Sequence, residues 1–309
     1  MKVKIKFLLA LILSLLLVFS TAGPALAGAS GAIDYVAMGD SGAAGVRAMW
    51  GQQPGFEEGS DYGYTDYIAR WLKLRRRLGS FNEDYAISGN TAAELAVMTA
   101  TPEAQQILAE AELVTITIGA NDVLGPLYAY YYSCVEGGVE LTVEGALAAI
   151  AEIQANMPTE GPVILANLMT VLSNTVIATP GARIYVMGYY NPLPFMVDFG
   201  LDAAPYVVMI NDLIQTAIYN IETMYGVTIS YIPTFGIINS YSEATGTYTK
   251  GHSYAYGSWY RYPYFPVGFK YLYVNLFEPI ADIHLTMWGY AKVGEAFTRE
   301  IKTDFGFRY

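Results

Sequence analysis

The sequence predicts an α/β protein, a three-layer α/β/α sandwich built on a central parallel sheet of about five strands. Short apolar runs rich in β-branched residues alternate with longer stretches of helical periodicity, the pattern of βαβ units. The runs 114–118 and 184–187 are almost continuously apolar, as expected of strands buried on both faces. Ligands of such a sheet bind at the carboxyl ends of its strands, so functional residues are sought there.

Twelve segments are predicted as regular elements, and two regions interrupt their alternation. The first, 124–138, is a Tyr- and Gly-containing excursion after the third strand. The second, 234–280, is an aromatic-rich insert whose period-two patches predict short β-hairpins in a lid, a binding surface or a small subdomain. The predicted strands are 33–38, 81–87, 113–118, 182–187 and 227–232, and the predicted helices are 61–78, 91–99, 102–110, 143–155, 162–175, 206–224 and 286–302.

The first 27 residues have the pattern of a secretory signal peptide. Three lysines precede an apolar run over 7–20, and Ala25-Leu26-Ala27 provides a small-x-small cleavage site. Residues 28–309 then form a single exported domain, secreted and extracellular after cleavage near Ala27, with no stable membrane anchor. An uncleaved N-terminal anchor is the alternative, although the apolar run is short for a membrane span.

Charge and composition exclude several classes of function. The chain carries 17 Lys and Arg against 28 Asp and Glu, a net charge of −11 that becomes more negative once the basic leader is removed. Such a chain is not expected to bind nucleic acid. The cluster of cations over 73–77 is interpreted as the solvated end of a helix. With one cysteine and two histidines, a zinc or iron site is not expected, and neither is another cofactor; a calcium site of carboxylates and carbonyls stays open.

The first predicted strand ends in Gly39-Asp40-Ser41. Residues 42–44 are small enough for a helix to begin directly behind the serine. A hydroxyl in that place lies near backbone N–H groups that stabilise negative charge developing on a substrate oxygen. Alone, the tripeptide is equally typical of an Asp-Ser helix N-cap, so its interpretation depends on what ends the other strands.

The second and third strands end in residues that donate hydrogen bonds. Gly89 lets the backbone approach a ligand and present its N–H, and Asn121 carries a side-chain amide. With the N–H of Ser41 they would form an oxyanion hole of three donors. The alternative at both places is a plain turn.

A candidate base stands before the last predicted helix. His284 is one of two histidines in the chain, and Asp282 is close enough in sequence to orient its imidazole. The other histidine, His252, lies in a polar stretch of the insert and is interpreted as part of a turn.

The chain resembles a known family in the residues just described and in their order. Along nearly the whole mature chain stand, in turn, Gly39-Asp40-Ser41, Gly89, Gly119-Ala120-Asn121-Asp122 and Asp282-Ile283-His284. In these blocks the chain is similar to the SGNH hydrolases, or GDSL-type lipases and esterases, of secreted bacterial type. The resemblance implies a flavodoxin-like fold, with Ser41 as nucleophile, His284 as general base and Asp282 as orienting acid.

The same resemblance implies that the oxyanion is bound by the Ser41 and Gly89 backbone amides and the Asn121 side chain. The chain departs from the family pattern in two places. Gly42 replaces the leucine that usually follows the serine, and Ala281 stands where the acid commonly lies, three residues before the histidine.

We therefore predict a secreted serine esterase or lipase that hydrolyses acyl esters through an acyl-enzyme. Its partners are small-molecule, lipid or polysaccharide esters, and no metal or organic cofactor is required. Two alternatives stay open from the sequence. One is a carbohydrate acetyl esterase on the same scaffold, since the aromatic insert suits sugar rings as well as acyl chains. The other is a non-catalytic secreted binding module.

Overall fold

The computed structural model describes residues 31–46, 62–136, 142–192, 202–239, 241–242, 247–248, 284–285 and 287–307. The predicted signal peptide, most of the aromatic insert with His252, and the predicted acid Asp282 lie outside the described residues. The chain divides into two units, residues 1–32 and a compact unit of residues 33–309. All regular elements described below belong to that second unit.

Strands and helices alternate along the second unit, as the apolar periodicity predicts. The strands are β1 (Ile33–Gly39), β2 (Leu78–Ala86), β3 (Leu113–Thr117), β4 (Arg183–Met187), β5 (Ile229–Ile232), β6 (Tyr241–Ser242) and β7 (Thr247–Tyr248), and the helices are α1 (Tyr64–Leu74), α2 (Ala92–Thr99), α3 (Pro102–Ala109), α4 (Ala120–Glu136), α5 (Val143–Ala178), α6 (Ala204–Tyr225), α7 (Phe235–Asn239) and α8 (Met287–Asp304).

A parallel five-stranded sheet in the order β2-β1-β3-β4-β5 forms the centre of the unit. Every residue of β3 is buried, including Thr115 and Thr117, whose hydroxyls pair with the phenols of Tyr35 and Tyr64 at 2.8 and 2.5 Å. The strand order reverses between β1 and β3, the place where ligands bind in open α/β sheets. The predicted fold class, including its flavodoxin-like topology, is confirmed.

Helices cover both faces of this sheet. On one face α1 packs against α8, where the rings of Tyr64 and Phe297 stack with their centroids 4.8 Å apart. On the other face α5 packs against α2, α3, α4 and α6. Both faces of the central strands β1, β3 and β4 are covered, so their runs are largely apolar without alternation, whereas the edge strand β2 is mostly half-buried or exposed.

Helix α5 corrects the prediction of two separate helices over 143–155 and 162–175. It is a single helix of 36 residues that continues through Pro158 and Pro162. Both prolines are exposed, so the carbonyl groups that lose their N–H partners face solvent. By length and composition alone, this helix could cross a membrane. However, 39% of its most apolar stretch is buried in the fold, and core helices of soluble proteins have the same length and composition.

Helix α4 corrects the prediction that 124–138 is an excursion from the strand–helix alternation, because residues 124–136 are helical. Ala120, Val123, Leu124 and Leu127 are all buried and follow the spacing i, i+3, i+4, i+7 of a helix. Gly125 and Pro126 conceal that periodicity in the sequence, because both residues usually end helices. Asn121 therefore stands in the first turn of a helix rather than in a loop.

Among the described residues of the aromatic insert, a short hairpin lies at its start. Residues 241–242 pair with 247–248 in antiparallel register, with Tyr241 opposite Tyr248. This agrees with the β-hairpins that the period-two pattern predicts for this region.

Helix α1 ends in a Schellman motif with an arginine at the position that usually holds glycine. The N–H of Arg76 donates to the Lys73 carbonyl at 2.9 Å, and that of Arg77 donates to the Leu72 carbonyl at 2.9 Å. The motif requires a left-handed residue, and Arg76 adopts φ +56°. This conformation costs an L residue with a side chain about 1 kcal/mol.

We expect Arg76→Gly to raise the free energy of unfolding by about 0.5–1 kcal/mol, since glycine adopts this conformation without steric cost. Urea unfolding at unchanged slope measures the gain. Arg76→Ala is the matched control, because it removes the same charge and keeps the Cβ atom. An equal gain in both variants would show that the charge, not the backbone, is responsible.

Candidate active site

A small pocket of about 40 Å³ opens at the carboxyl edge of the sheet. It lies beside the point where the strand order reverses, because Ser41 follows β1 and Asn121 follows β3. His284 joins them from the segment before α8. The described residues that line the pocket are Asp40, Ser41, Gly42, Ala120, Asn121, Leu124, Tyr128, Met187, Tyr189, Tyr190, Pro192 and His284.

Ser41 is held by a tight series of turns rather than by a regular helix. The N–H of Ala44 donates to the Asp40 carbonyl at 3.0 Å, and that of Val46 donates to the Ser41 carbonyl at 3.1 Å. Residues 41–46 are turns, so the helix expected directly behind Ser41 is not formed over these residues. Gly42 fits a narrow space, since a Cβ atom there would lie 3.2 Å from both Asp40 Oδ1 and Thr117 Cγ2.

Hydrogen bonds tie the ends of the three neighbouring strands together. The Gly39 carbonyl accepts from the Ile87 N–H at 2.9 Å and from Asn90 Nδ2 at 3.3 Å. The Asn90 carbonyl then accepts from Asn121 Nδ2 at 2.8 Å. Asn90, which the sequence analysis did not single out, is buried and thus sets the position of the Asn121 amide relative to Ser41.

Three N–H groups at these strand ends are available to a ligand. Among the described residues no acceptor takes the backbone N–H of Ser41 or of Gly89, and one N–H of the Asn121 amide is likewise unused. Gly89 follows β2 and is exposed, although it does not line the pocket itself. The fold thus brings the predicted donors to adjacent strands of one sheet edge.

Asp122, next to the Asn121 donor, has a structural task. Its Oδ2 accepts from the Ala92 N–H at 2.8 Å, which joins the start of α4 to the first turn of α2. Burial raises the pKa of Asp122, and the hydrogen bond from Ala92 opposes that rise. The family-like block at the end of β3 therefore contains one ligand-facing amide and one carboxylate that anchors two helices.

His284 is buried, with 8% of its surface exposed, and faces the same pocket as Ser41. Helix α8 begins shortly after it, and Tyr290 of that helix reaches back to the serine turn. The Tyr290 hydroxyl donates to the Val46 carbonyl at 3.0 Å and lies 3.5 Å from the Ser41 carbonyl. The C-terminal helix is thereby attached to the turn that holds the serine. Asp282 and Ala281 lie outside the described residues.

Asp40 is a site residue that the sequence analysis considered only as a possible helix cap. It is 1% exposed, and both its oxygens accept hydrogen bonds: Oδ1 from the Gly42 N–H at 2.9 Å and Oδ2 from the Tyr189 hydroxyl. Burial raises the pKa of Asp40 to about 6, while the hydrogen bonds from Tyr189 and Gly42 and the charge of His284 oppose the rise. In the sequence, Asp40 is marked only by being a carboxyl group directly after an apolar strand, a position where a charged side chain needs a partner.

The segment that follows β4 brings Tyr189 to Asp40. The side chain of Asn211 on α6 forms two hydrogen bonds with the Tyr189 backbone. It accepts from the Tyr189 N–H at 2.7 Å and donates to the Tyr189 carbonyl at 3.0 Å. Asn239 of α7 does the same for Asn191, at 2.8 and 3.1 Å. Two buried amides therefore fix residues 188–192, which form one wall of the pocket.

The raised pKa of Asp40 predicts a pH-dependent contribution to stability. The carboxyl binds its proton more tightly in the folded chain than at its ordinary pKa of 3.8, so its contribution is complete below about pH 4 and is lost as the pH rises through about 6. Asp40→Asn lacks this titration. We expect its free energy of unfolding, relative to the unsubstituted protein, to increase by up to about 3 kcal/mol between pH 4 and pH 7.

Urea unfolding of both proteins at four pH values in this range measures the difference. Asp212→Asn, which removes an exposed carboxylate from α6, is the control and should follow the unsubstituted protein. A constant difference between Asp40→Asn and the unsubstituted protein across the range would contradict the prediction.

The described residues bring together no group of three His, Cys, Asp or Glu side chains that could hold a metal ion. The chemistry available from these residues is instead that of a hydroxyl, an imidazole, a buried carboxylate and three N–H donors. This set suits nucleophilic attack on a carbonyl group with stabilisation of the resulting oxyanion.

Comparison with known structures agrees with the fold. A phospholipase A1 from Streptomyces albidoflavus NA297 is similar to the chain at 20% identity and a TM-score of 0.54, covering 88% of this chain and 99% of the phospholipase. An extracellular lipase from Streptomyces rimosus is similar at 20% identity and a TM-score of 0.52, covering 87% and 99% respectively. The comparison with curated proteins gives no significant match.

The sequence family is given by a family model. Residues 37–227 match that of the GDSL-like lipase/acylhydrolase family, a span that contains Ser41, Gly89 and Asn121 and ends before His284. This match covers more than half of the chain, and the strand-end blocks and the sheet order agree with it. The chain belongs to the GDSL-like lipase/acylhydrolase family and is an ester-bond hydrolase.

Proposed function

We propose that the protein is an exported serine acylhydrolase that cleaves carboxylic esters through a covalent acyl-enzyme on Ser41. The observation that carries the proposal is the arrangement of one pocket, where Ser41, His284 and the amide of Asn121 meet at the reversal point of the sheet. The leader pattern supports export, and the family supports hydrolysis of an ester bond.

In the acylation step the Ser41 hydroxyl attacks the ester carbonyl carbon while His284 accepts its proton. The carbonyl π electrons move onto oxygen, and the tetrahedral intermediate collapses as His284 returns the proton to the leaving alcohol. Water then repeats the sequence on the acyl-enzyme and releases the acid. Asp282 orients the imidazole in this proposal, since it stands two residues before His284.

The oxyanion is stabilised by the N–H groups of Ser41, Gly89 and Asn121. Donors that are already fixed lose little entropy when charge develops, and removal of one typically lowers the rate by about 10²–10³-fold. The hydrogen bond from Asn121 to the Asn90 carbonyl supports this role, because it holds the amide in place before substrate arrives.

The lining of the pocket favours an apolar acyl group. Leu124, Met187 and Pro192 contribute aliphatic surface, and Tyr128 and Tyr190 add aromatic surface. Burial of such surface stabilises a bound hydrocarbon by about 25 cal/mol per Å². Aliphatic acyl esters are therefore the proposed substrate class.

A fluorophosphonate probe tests the proposal directly, since it modifies only a serine that a neighbouring base activates. The mature protein is expected to be labelled, and labelling is expected to be lost in Ser41→Ala and in His284→Ala. Ser173→Ala, whose hydroxyl pairs with Tyr225 on the helical layer, is the control and should label fully. Labelling that survives in His284→Ala would reject the assignment of the base.

The substrate class is tested by a panel of p-nitrophenyl esters from acetate to decanoate, with acetylated xylan and tributyrin alongside. Aliphatic esters and tributyrin are expected to be hydrolysed faster than acetylated xylan. The opposite order would assign the protein to carbohydrate esterases with the same machinery. No turnover of any ester, together with no labelling, would leave a binding module.

A further inference from the structure

We propose that Asp40 is a positioning residue for His284, a second carboxylate whose negative charge stabilises the imidazolium that forms during acyl transfer, and that Tyr189 keeps Asp40 in its charged form. The inference rests on the proposed function of the same pocket. It assigns a task to a buried acid that the Ser41, His284 and Asp282 arrangement leaves unused.

The location of Asp40 supports an electrostatic task. Asp40 and His284 line the same pocket, and both are at least nine-tenths buried. Their charges interact, since the charge of His284 favours ionised Asp40. Solvent screens such a pair far less than a pair on the surface, so one charge has a strong effect on the other.

Hydrogen bonds hold the carboxylate in one orientation. Gly42 and Tyr189 occupy one oxygen each, and Asn211 fixes the Tyr189 backbone from both sides. Burial and the Asp40 carboxylate raise the pKa of Tyr189 well above its ordinary value, so this hydroxyl remains a donor. A donor that cannot release its proton favours the charged form of its acceptor.

The other ionisable groups around Asp40 oppose its charge or leave it unchanged. Asp122, at the start of α4, raises the pKa of Asp40, and Tyr64 of α1 is a buried phenol that stays protonated. His284 is thus the positive partner, and Tyr189 the side-chain donor, on which the ionised state of Asp40 depends.

The chemistry needs no further reactant. When Ser41 attacks, its O–H bond breaks, a bond forms between Oγ and the carbonyl carbon, and His284 gains the proton and a positive charge. Asp40 exchanges no proton in this step. Its fixed negative charge lowers the free energy of the imidazolium, and the effect ends when His284 passes the proton to the leaving alcohol.

A purely structural role would be to cap the serine turn through the Gly42 N–H. The two roles differ in their pH dependence. Loss of a cap lowers activity at every pH, whereas loss of a charge also moves the titration of the histidine that senses it.

An NMR titration of His284 reads this interaction without any substrate. In untagged His252→Gln protein, His284 is the sole histidine, so its imidazole signals can be followed by pH alone. Asp40→Asn in this background is expected to move the titration midpoint to lower pH. Asp212→Asn, the same chemical change on the exposed face of α6, should leave it unmoved.

Kinetics supply a second readout. Asp40→Asn should lower kcat/KM for an active ester by about tenfold at pH 7 and move the acidic limb of its pH profile to lower pH. Tyr189→Phe should move that limb in the same direction by a smaller amount, because Asp40 loses the donor that favours its ionised form and so presents less negative charge to His284. Tyr206→Phe, which loses a hydroxyl bonded to Gln154, is the matched control.

The outcomes separate the inference from the proposed function. An unmoved His284 midpoint in Asp40→Asn, or both limbs unmoved with lower rates, would overturn the inference and leave a cap. If the unsubstituted protein hydrolyses no ester and takes no probe, the proposed function fails, and the NMR titration still decides whether Asp40 acts on His284. Should Asp40→Asn fail to fold, Tyr189→Phe retains the carboxylate and carries the kinetic test.

Discussion

Ser41→Ala is expected to lower kcat for ester hydrolysis by about 10⁴-fold or more, because it removes the hydroxyl that forms the proposed acyl-enzyme. The N–H donors of Gly89 and Asn121 remain in this variant, so a small residual rate over water is expected from oxyanion stabilisation alone. The measurement is hydrolysis of p-nitrophenyl butyrate at saturating concentration. KM should change little, since the alanine keeps the backbone turn.

Two controls accompany Ser41→Ala. Its far-UV circular dichroism and urea midpoint should match those of the unsubstituted protein, because Ser41 is partly exposed and its hydroxyl makes no bond among the described residues. Ser173→Ala should retain full activity. If Ser41→Ala hydrolysed the ester at the parent rate, Ser41 could not be the nucleophile.

Gly39→Ala is expected to lower the free energy of unfolding by about 3 kcal/mol or more, a large share of the stability of an ordinary domain. Gly39 adopts φ +140°, which residues with a side chain rarely adopt, and an added Cβ would lie 2.8 Å from the Thr117 carbonyl carbon and closer still to its oxygen. Those atoms belong to the backbone of β3, so they cannot turn aside. The sheet would have to open at the active-site edge.

Gly181→Ala is the matched control for this steric argument. Gly181 also has a positive φ, +96°, yet an added Cβ has no neighbour within 4 Å, so only the backbone term of about 1 kcal/mol remains. Urea unfolding of the two variants measures the difference. Equal losses would show that the contact with Thr117 is unimportant.

The sequence allowed prediction of the sheet because buried parallel strands have a distinctive composition. The runs 33–38 and 113–118 have few polar residues, and turn residues mark where each ends. The helices over 120–136 and 143–178 were less predictable. In both, proline lies inside the helix, and packing on the sheet and on neighbouring helices outweighs the local preference to end.

The candidate site was likewise predictable from the sequence only in part. The placement of Ser41, Gly89 and Asn121 was predictable because each follows a strand within four residues, and strand ends of a parallel sheet meet at one edge. The bond between Asp40 and Tyr189 was not, since the two residues are 149 positions apart and meet only through the order of β1, β3 and β4. The role of Asp282 stays a prediction.

Residues 188–192, which Asn211 and Asn239 hold in place, matter for engineering of the enzyme. Tyr190 and Pro192 line the pocket without a bond to Asp40, whereas Tyr189, directly before Tyr190 in the chain, holds the carboxylate. On the proposed roles of these residues, libraries that vary Tyr190 and Pro192 are expected to change acyl preference without moving the working pH range. Selection that admits changes at Tyr189 or Asn211 would alter selectivity and pH range together, and the two traits could then not be optimised separately.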